Sequence, residues 1–251
     1  MRPIFPIALM LSAAVAAPAF AQDTAPPAGP LTVSGGATLT SDYRFRGVSQ
    51  TDKRFAVQGT LTIAHESGFY VSTWGSSIDD YVAYGSDQEI DLIAGYKKTI
   101  NGTTFDVGGL YYYYPGSGGA NTDFIEPYAS VTHVFGPATA KAGVAYAPKQ
   151  RALASAHARD DNLYMYGELG GAIPGTPFSV LGHLGYSHGR SVLTGGLKGY
   201  LDWNLGVSYA WKNLTLGVSY VDTDIKKDES ITPSGRHPAK AGAVFSIGAS
   251  F

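Results

Sequence analysis

Along most of this 251-residue chain, apolar and polar residues alternate with a period of two. From Leu31 to Phe45 one set is Leu31, Val33, Gly35, Ala37, Leu39, Ser41, Tyr43 and Phe45. The other is Thr32, Ser34, Gly36, Thr38, Thr40, Asp42 and Arg44. Successive strand side chains point to opposite faces, so this reads as a strand with one apolar and one wet face. Phe55, Val57, Gly59, Leu61 and Ile63 repeat it against Arg54, Gln58, Thr60 and Thr62, and Leu201 to Tyr209 repeat it again. The last segment places Ala241, Ala243, Phe245, Ile247, Ala249 and Phe251 on one face. Twelve strands are expected, starting near residues 31, 54, 68, 88, 103, 123, 138, 162, 176, 199, 213 and 240. Each is about 10–13 residues, enough to cross a bilayer when tilted.

The connections carry a second, independent pattern, because short and long ones alternate. The short ones are His65 to Gly68, Ile100 to Thr103, Gly136-Pro137, Ile173 to Thr176 and Lys212-Asn213, and Asn101-Gly102 is a strong hairpin signal. The long ones are Gly47 to Lys53, Asp79 to Asp87, Pro115 to Thr122, Pro148 to Asp161, Ser187 to Lys198 and Thr223 to Ala239. Sorting short turns to one rim and long loops to the other is the arrangement of outer-membrane barrels, with the short turns periplasmic. A soluble sandwich has no reason to sort its loops this way.

Closure follows from the solvent. Hydrocarbon cannot hydrogen-bond a free sheet edge, so strands facing lipid must close into a barrel. The expected fold is therefore all-β: a transmembrane antiparallel up-and-down β-barrel of about twelve strands, residues 31–251. Residues 1–21 read as a signal peptide, with Arg2, an apolar run from Ile7 to Ala17, and Ala19-Phe20-Ala21 as an A-x-A site cleaved after Ala21. Residues 22–30 form a Pro-containing linker. Export to the cell outer membrane is the expected location. Phe69, Phe105, Phe135, Phe178 and Trp211 fall beside short turns, and Tyr43, Phe45, Tyr111, Tyr113, Tyr146 and Tyr186 near long loops, as two interfacial girdles. The terminal Phe251 resembles the C-terminal signal read by the barrel-assembly machinery, an expected partner alongside outer-membrane lipids.

Composition narrows the function. The chain has 32 Gly, 17 Tyr, no Cys and only 15% charged residues. Few charges argue against disorder. The lack of Cys excludes disulfides, thiolate metal sites and Cys catalysis. A net charge of −2 gives no basic field for nucleic acid. Gly185-Tyr186-Ser187-His188-Gly189 matches G-x-S-x-G but ends a strand and enters a polar loop rather than a helix. His65 and Ser67 share a strand face, as in outer-membrane phospholipases, yet fall at the periplasmic end, the wrong rim for such an enzyme. The six His form no H-x-x-x-H pair. No catalytic residue, cofactor or metal site is expected.

The run Asp42-Tyr43-Arg44-Phe45-Arg46-Gly47-Val48-Ser49-Gln50-Thr51 resembles the N-terminal signature of the TorF family of porins. Trp74 to Asp79, Glu89 to Tyr96 and Tyr111 to Pro115 resemble it further, over about residues 31–130. The resemblance implies a channel whose substrate is open, and it adds no catalytic residues.

Function is then sought on the polar face. Asp42, Arg44 and Arg46 are expected to face the lumen, with Arg54 in the inward set of the second strand. Glu89 and Asp91 lie opposite Ile90 and Leu92. Glu126 shares a face with Tyr128, Ser130 and Thr132, and Glu168 with Tyr164 and Tyr166. Opposed charges on a pore wall set a field that selects solutes. The expected function is passive diffusion of small hydrophilic solutes or ions. The alternative is a non-conducting barrel with a structural, adhesive or lipid-modifying role, which an inward loop or side chains meeting across the lumen would favour.

Overall fold

The computed structural model describes residues 30–154 and 161–251. The signal segment, the linker up to Ala28-Gly29 and part of the Pro148 to Asp161 loop lie outside them. The strands are β1 (Leu31–Thr40), β2 (Arg44–Phe45), β3 (Val48–Ser49), β4 (Ala56–His65), β5 (Phe69–Ser77), β6 (Gln88–Ile100) and β7 (Thr103–Tyr113). They continue with β8 (Phe124–Phe135), β9 (Ala138–Ala147), β10 (Asn162–Ala172), β11 (Phe178–His188), β12 (Gly199–Trp211), β13 (Leu214–Thr223) and β14 (Gly242–Ser250). Twelve of them form one closed antiparallel barrel in the order β1-β14-β13-β12-β11-β10-β9-β8-β7-β6-β5-β4, and β2 and β3 make a separate small hairpin.

The barrel closes where β1 meets β14, with Gly36 to Thr40 opposite Ser250 to Ser246. Phe251 extends this seam: its N–H donates to the Gly35 carbonyl at 3.0 Å, and the Gly35 N–H donates to its carbonyl at 3.1 Å. The outward face is apolar. Val33, Val57, Leu92, Val107, Ile125, Leu184, Leu205 and Phe245 are all exposed, a surface that suits hydrocarbon and not water. The inward set is Thr40, Gln58, Thr62, Ser72, Asp106, Ser130, Ser208 and their neighbours, all buried.

Tyrosine and glycine meet in register on the inner wall. Tyr166 faces Gly143 across β10 and β9, Tyr128 faces Gly108, and Tyr70 faces Gly95. The Tyr166 ring lies so close over Gly143 that a Cβ there would sit 2.3 Å from its Cζ. The rings thereby lie along the wall instead of filling the lumen, which gives the high Gly and Tyr content a packing role.

One expected element differs. The first strand does not run to Phe45; it ends at Thr40. The chain then turns inward, and Arg46 (φ 48) and Gly47 (φ 81) form the two-residue tip joining β2 to β3. Two successive positive φ values are what a tight hairpin turn demands. Gly47 is required twice over: a Cβ there would lie 2.5 Å from Thr223 Cγ2, on the barrel wall. Tyr43 and Phe45 consequently leave the expected girdle. Tyr43 is buried inside the barrel and Phe45 is half-buried.

Candidate lumenal site

The ten residues 42–51 fold back into the long-loop end of the barrel and are fixed there by their own polar atoms. Asp42 accepts from Ser49 Oγ at 2.5 Å, Thr51 Oγ1 at 3.2 Å and Arg44 Nε at 2.6 Å. Arg44 Nη1 donates to the carbonyls of Gly47, Pro238 and Lys240, at 2.9, 3.0 and 3.1 Å, tying the hairpin to the last long loop. Tyr43 donates its hydroxyl to Glu89 Oε1 at 2.7 Å.

Arg46 reaches furthest. Its guanidinium donates to Asn162 Oδ1 at 2.7 Å and to Glu126 Oε1 at 2.6 Å, and lies 4.2 Å from the Tyr164 ring centroid. These partners stand on β10 and β8. The two strands flank β9, which is six strands from β1 in either direction round the barrel. Arg46 therefore bridges from the inward hairpin to the far wall. Around it Tyr112 stacks on Phe124 at 4.1 Å, and Tyr43, Ile78, Tyr114 and Leu153 complete an apolar cluster at the long-loop end.

Beneath the hairpin the lumen opens into a cavity of about 350 Å³ that extends to Ser34, Ser250 and Phe251 near the short-turn rim. Its wall carries paired charges. His183 lies between Glu168 (3.2 Å) and Asp202 (3.3 Å), and Tyr164 donates to Asp202 at 3.1 Å. Lys141 stands opposite Glu168 in register. Among the described residues no group of three or more His, Cys, Asp or Glu is placed to hold a metal ion.

The structure brings Asp42, Arg44, Arg46, Glu89, Asp91, Glu126 and Glu168 to the interior, all of them buried except Glu168, which is half-buried. Asp42, Arg44 and Arg46 belong to the inward hairpin and its lead-in, not to a strand wall. Arg54 is corrected. Its side chain is 61% exposed and pairs with Asp79, because β4 starts only at Ala56 and Arg54 belongs to the loop before it. Asn162, His183 and Asp202, which are not among the expected lumen residues, complete the site. The parity that put Tyr164, Tyr166 and Glu168 inward also places Asn162 inward, and the polar set of Leu201 to Tyr209 contains Asp202.

The two serine motifs take structural places. In the 65–68 turn, His65 Nδ1 meets Ser67 Oγ at 2.7 Å and also accepts the Ser67 N–H at 3.1 Å, a local turn cap. Ser187 lies within β11, fully buried, bonded to Asn162 at 3.0 Å.

The model of the Gcw_chp family, described as a bacterial protein of unknown function, matches residues 24–251. No curated protein matches the sequence. Among solved structures, the NanC porin superposes with a TM-score of 0.57 at 12% identity, covering 88% of this chain and 99% of that one. The KdgM porin, solved in complex with disordered oligogalacturonate, gives 0.56 at 11% identity, covering 88% and 98%. An outer membrane channel from Pseudomonas putida F1 gives 0.50 at 10% identity, covering 90% and 96%. At these identities the likeness is one of fold, and the fold is that of outer-membrane porins.

Proposed function

The chain belongs to the Gcw_chp family, and from its lumen we propose that it is an outer-membrane porin for small hydrophilic solutes or ions, gated by its own N-terminal hairpin. The observation that carries this reading is the cavity of about 350 Å³ beneath that hairpin, with Asp91, Glu126, Lys141, Glu168 and Asp202 on its wall and reaching the short-turn rim. A barrel serving only as a scaffold gains nothing from a hollow, charged interior. The resemblance of residues 42–51 to TorF porins belongs with this reading, since those residues make the gate. In it, residues 1–21 direct export, Phe251 marks the chain for barrel assembly, and the short turns face the periplasm.

A second reading has its own support. Arg46 meets Glu126 across the lumen, and the long-loop end is packed with aromatic and aliphatic side chains. This favours a non-conducting barrel with a structural, adhesive or lipid-modifying role. Liposome swelling separates the two. A porin admits small sugars and excludes larger ones; a folded barrel that admits none supports the second reading.

A further inference from the structure

We propose that the lumen holds a monovalent-cation subsite built around Asp91. Asp91 is fully buried on β6 and forms part of the cavity wall. Neither of its carboxylate oxygens has a hydrogen-bond partner among the described residues. Its neighbours are provided for elsewhere: Glu89 accepts from Tyr43, and Glu126 accepts from Arg46 and Tyr112. The guanidinium of Arg46 is committed to Glu126 and Asn162, so it leaves Asp91 without a counter-charge.

Strand register adds the second half of the subsite. Asp91 stands directly opposite Trp74 on β5 and Tyr112 on β7. Directly opposed residues on adjacent strands share a face, so an indole and a phenol flank the carboxylate on the lumen side. All three line the same cavity. A buried carboxylate without a partner is costly, and a cation supplied from the lumen removes that cost. The Trp74 and Tyr112 rings border the same stretch of cavity wall, where aromatic rings suit a weakly hydrated cation. A single carboxylate between two rings matches an alkali ion or ammonium and not a multidentate divalent metal.

The subsite depends on the placement of Asp91 inside the barrel and not on conduction, so its test avoids current. The apparent Tm of the purified barrel in detergent is followed as N-methylglucamine chloride is replaced, at constant ionic strength, by KCl in one arm and by ammonium chloride in another. The wild type should show a saturable rise of about 2–4 °C with K⁺ or ammonium. A rise in one arm only identifies the preferred cation. Asp91→Asn, checked as folded by heat-dependent gel mobility, should lose the response. The same response in Asp91→Asn, or none in the wild type, overturns the proposal. Should Asp91→Asn fail to fold, sodium-23 line broadening by the wild-type barrel decides. Broadening reversed by K⁺ supports the subsite, and its absence overturns it. A barrel that passes no solute yet responds through Asp91 would retire the porin reading and leave the subsite standing.

Discussion

Arg46 donates to Glu126 at 2.6 Å although 80 residues of chain separate them, one at the tip of the inward hairpin and the other on β8. Both side chains are nearly inaccessible, at 5% and 4% exposure. The pair is the cross-brace that keeps the hairpin seated. Removing one partner of a buried ion pair strands the other, at a cost of roughly 3–5 kcal/mol. Arg46→Ala should therefore lower the unfolding free energy by about that much in urea titration of the detergent-folded barrel. The double variant Arg46→Met with Glu126→Gln should recover part of it. Equal losses in the single and double variants would remove the brace from the account.

A second clamp holds the same segment from above. Asp52 accepts from Thr232 Oγ1 at 2.9 Å and Ser234 Oγ at 2.7 Å, while Arg236 Nη1 donates to its carbonyl at 2.6 Å. Asp52→Ala removes the carboxylate and should free the last long loop. Trypsin cleavage at Lys226, Lys227 and Arg236 should accelerate roughly tenfold, the equivalent of about 1.4 kcal/mol in the open population. An unchanged cleavage rate would show that the loop is held by other contacts.

Gly143 has no room for a methyl group. Tyr166 lies over it and is itself stacked near Tyr164 and His183, at 5.7 and 5.8 Å between ring centroids. Gly143→Ala should destabilise the barrel by roughly 1–3 kcal/mol through overpacking, read as a lower temperature for the heat-dependent gel shift. Gly109, with open space where its Cβ would be, is the control and should tolerate Ala.

Lys53 lies in the loop that follows the hairpin, where burial and then the Arg44 guanidinium hold its ammonium below the usual lysine range. A lysine with a depressed folded-state pKa binds fewer protons folded than unfolded. Its charge therefore costs stability at neutral pH, and that cost fades as pH rises through the lowered value toward 10.5. The wild type should gain on Lys53→Gln over this window, with the Tm difference between the two narrowing as pH is raised. A difference that does not change with pH would contradict this.

The barrel itself was legible from residues because two signals agreed. Alternation set the strands, and short-long sorting of connections set their up-and-down order. The starting residues of β1, β6, β7, β9, β10 and β12 fall at the expected positions. The inward hairpin was not legible, since Ser41 to Phe45 continue the strand alternation without a break. The bonds of Asp42 and Arg44, the positive φ values at Arg46 and Gly47 and the long-range partners of Arg46 hold the chain inward. Periodicity reports which face a residue takes along a continuing strand and is silent on where the strand stops. The same blindness displaced Arg54, which keeps the parity of β4 but precedes its first residue. Partners such as Asn162 with Arg46 depend on barrel closure, which no local pattern encodes.

In the proposed function the lumen is a conduction path closed at the long-loop end by the Arg46-anchored hairpin. Single-channel recording in planar bilayers, comparing wild type with Arg46→Ala in KCl, tests it most directly. A porin gated in this way should show discrete openings in the wild type and a larger conductance or a higher open fraction in Arg46→Ala. Electrically silent bilayers for both folded proteins at every voltage would contradict it.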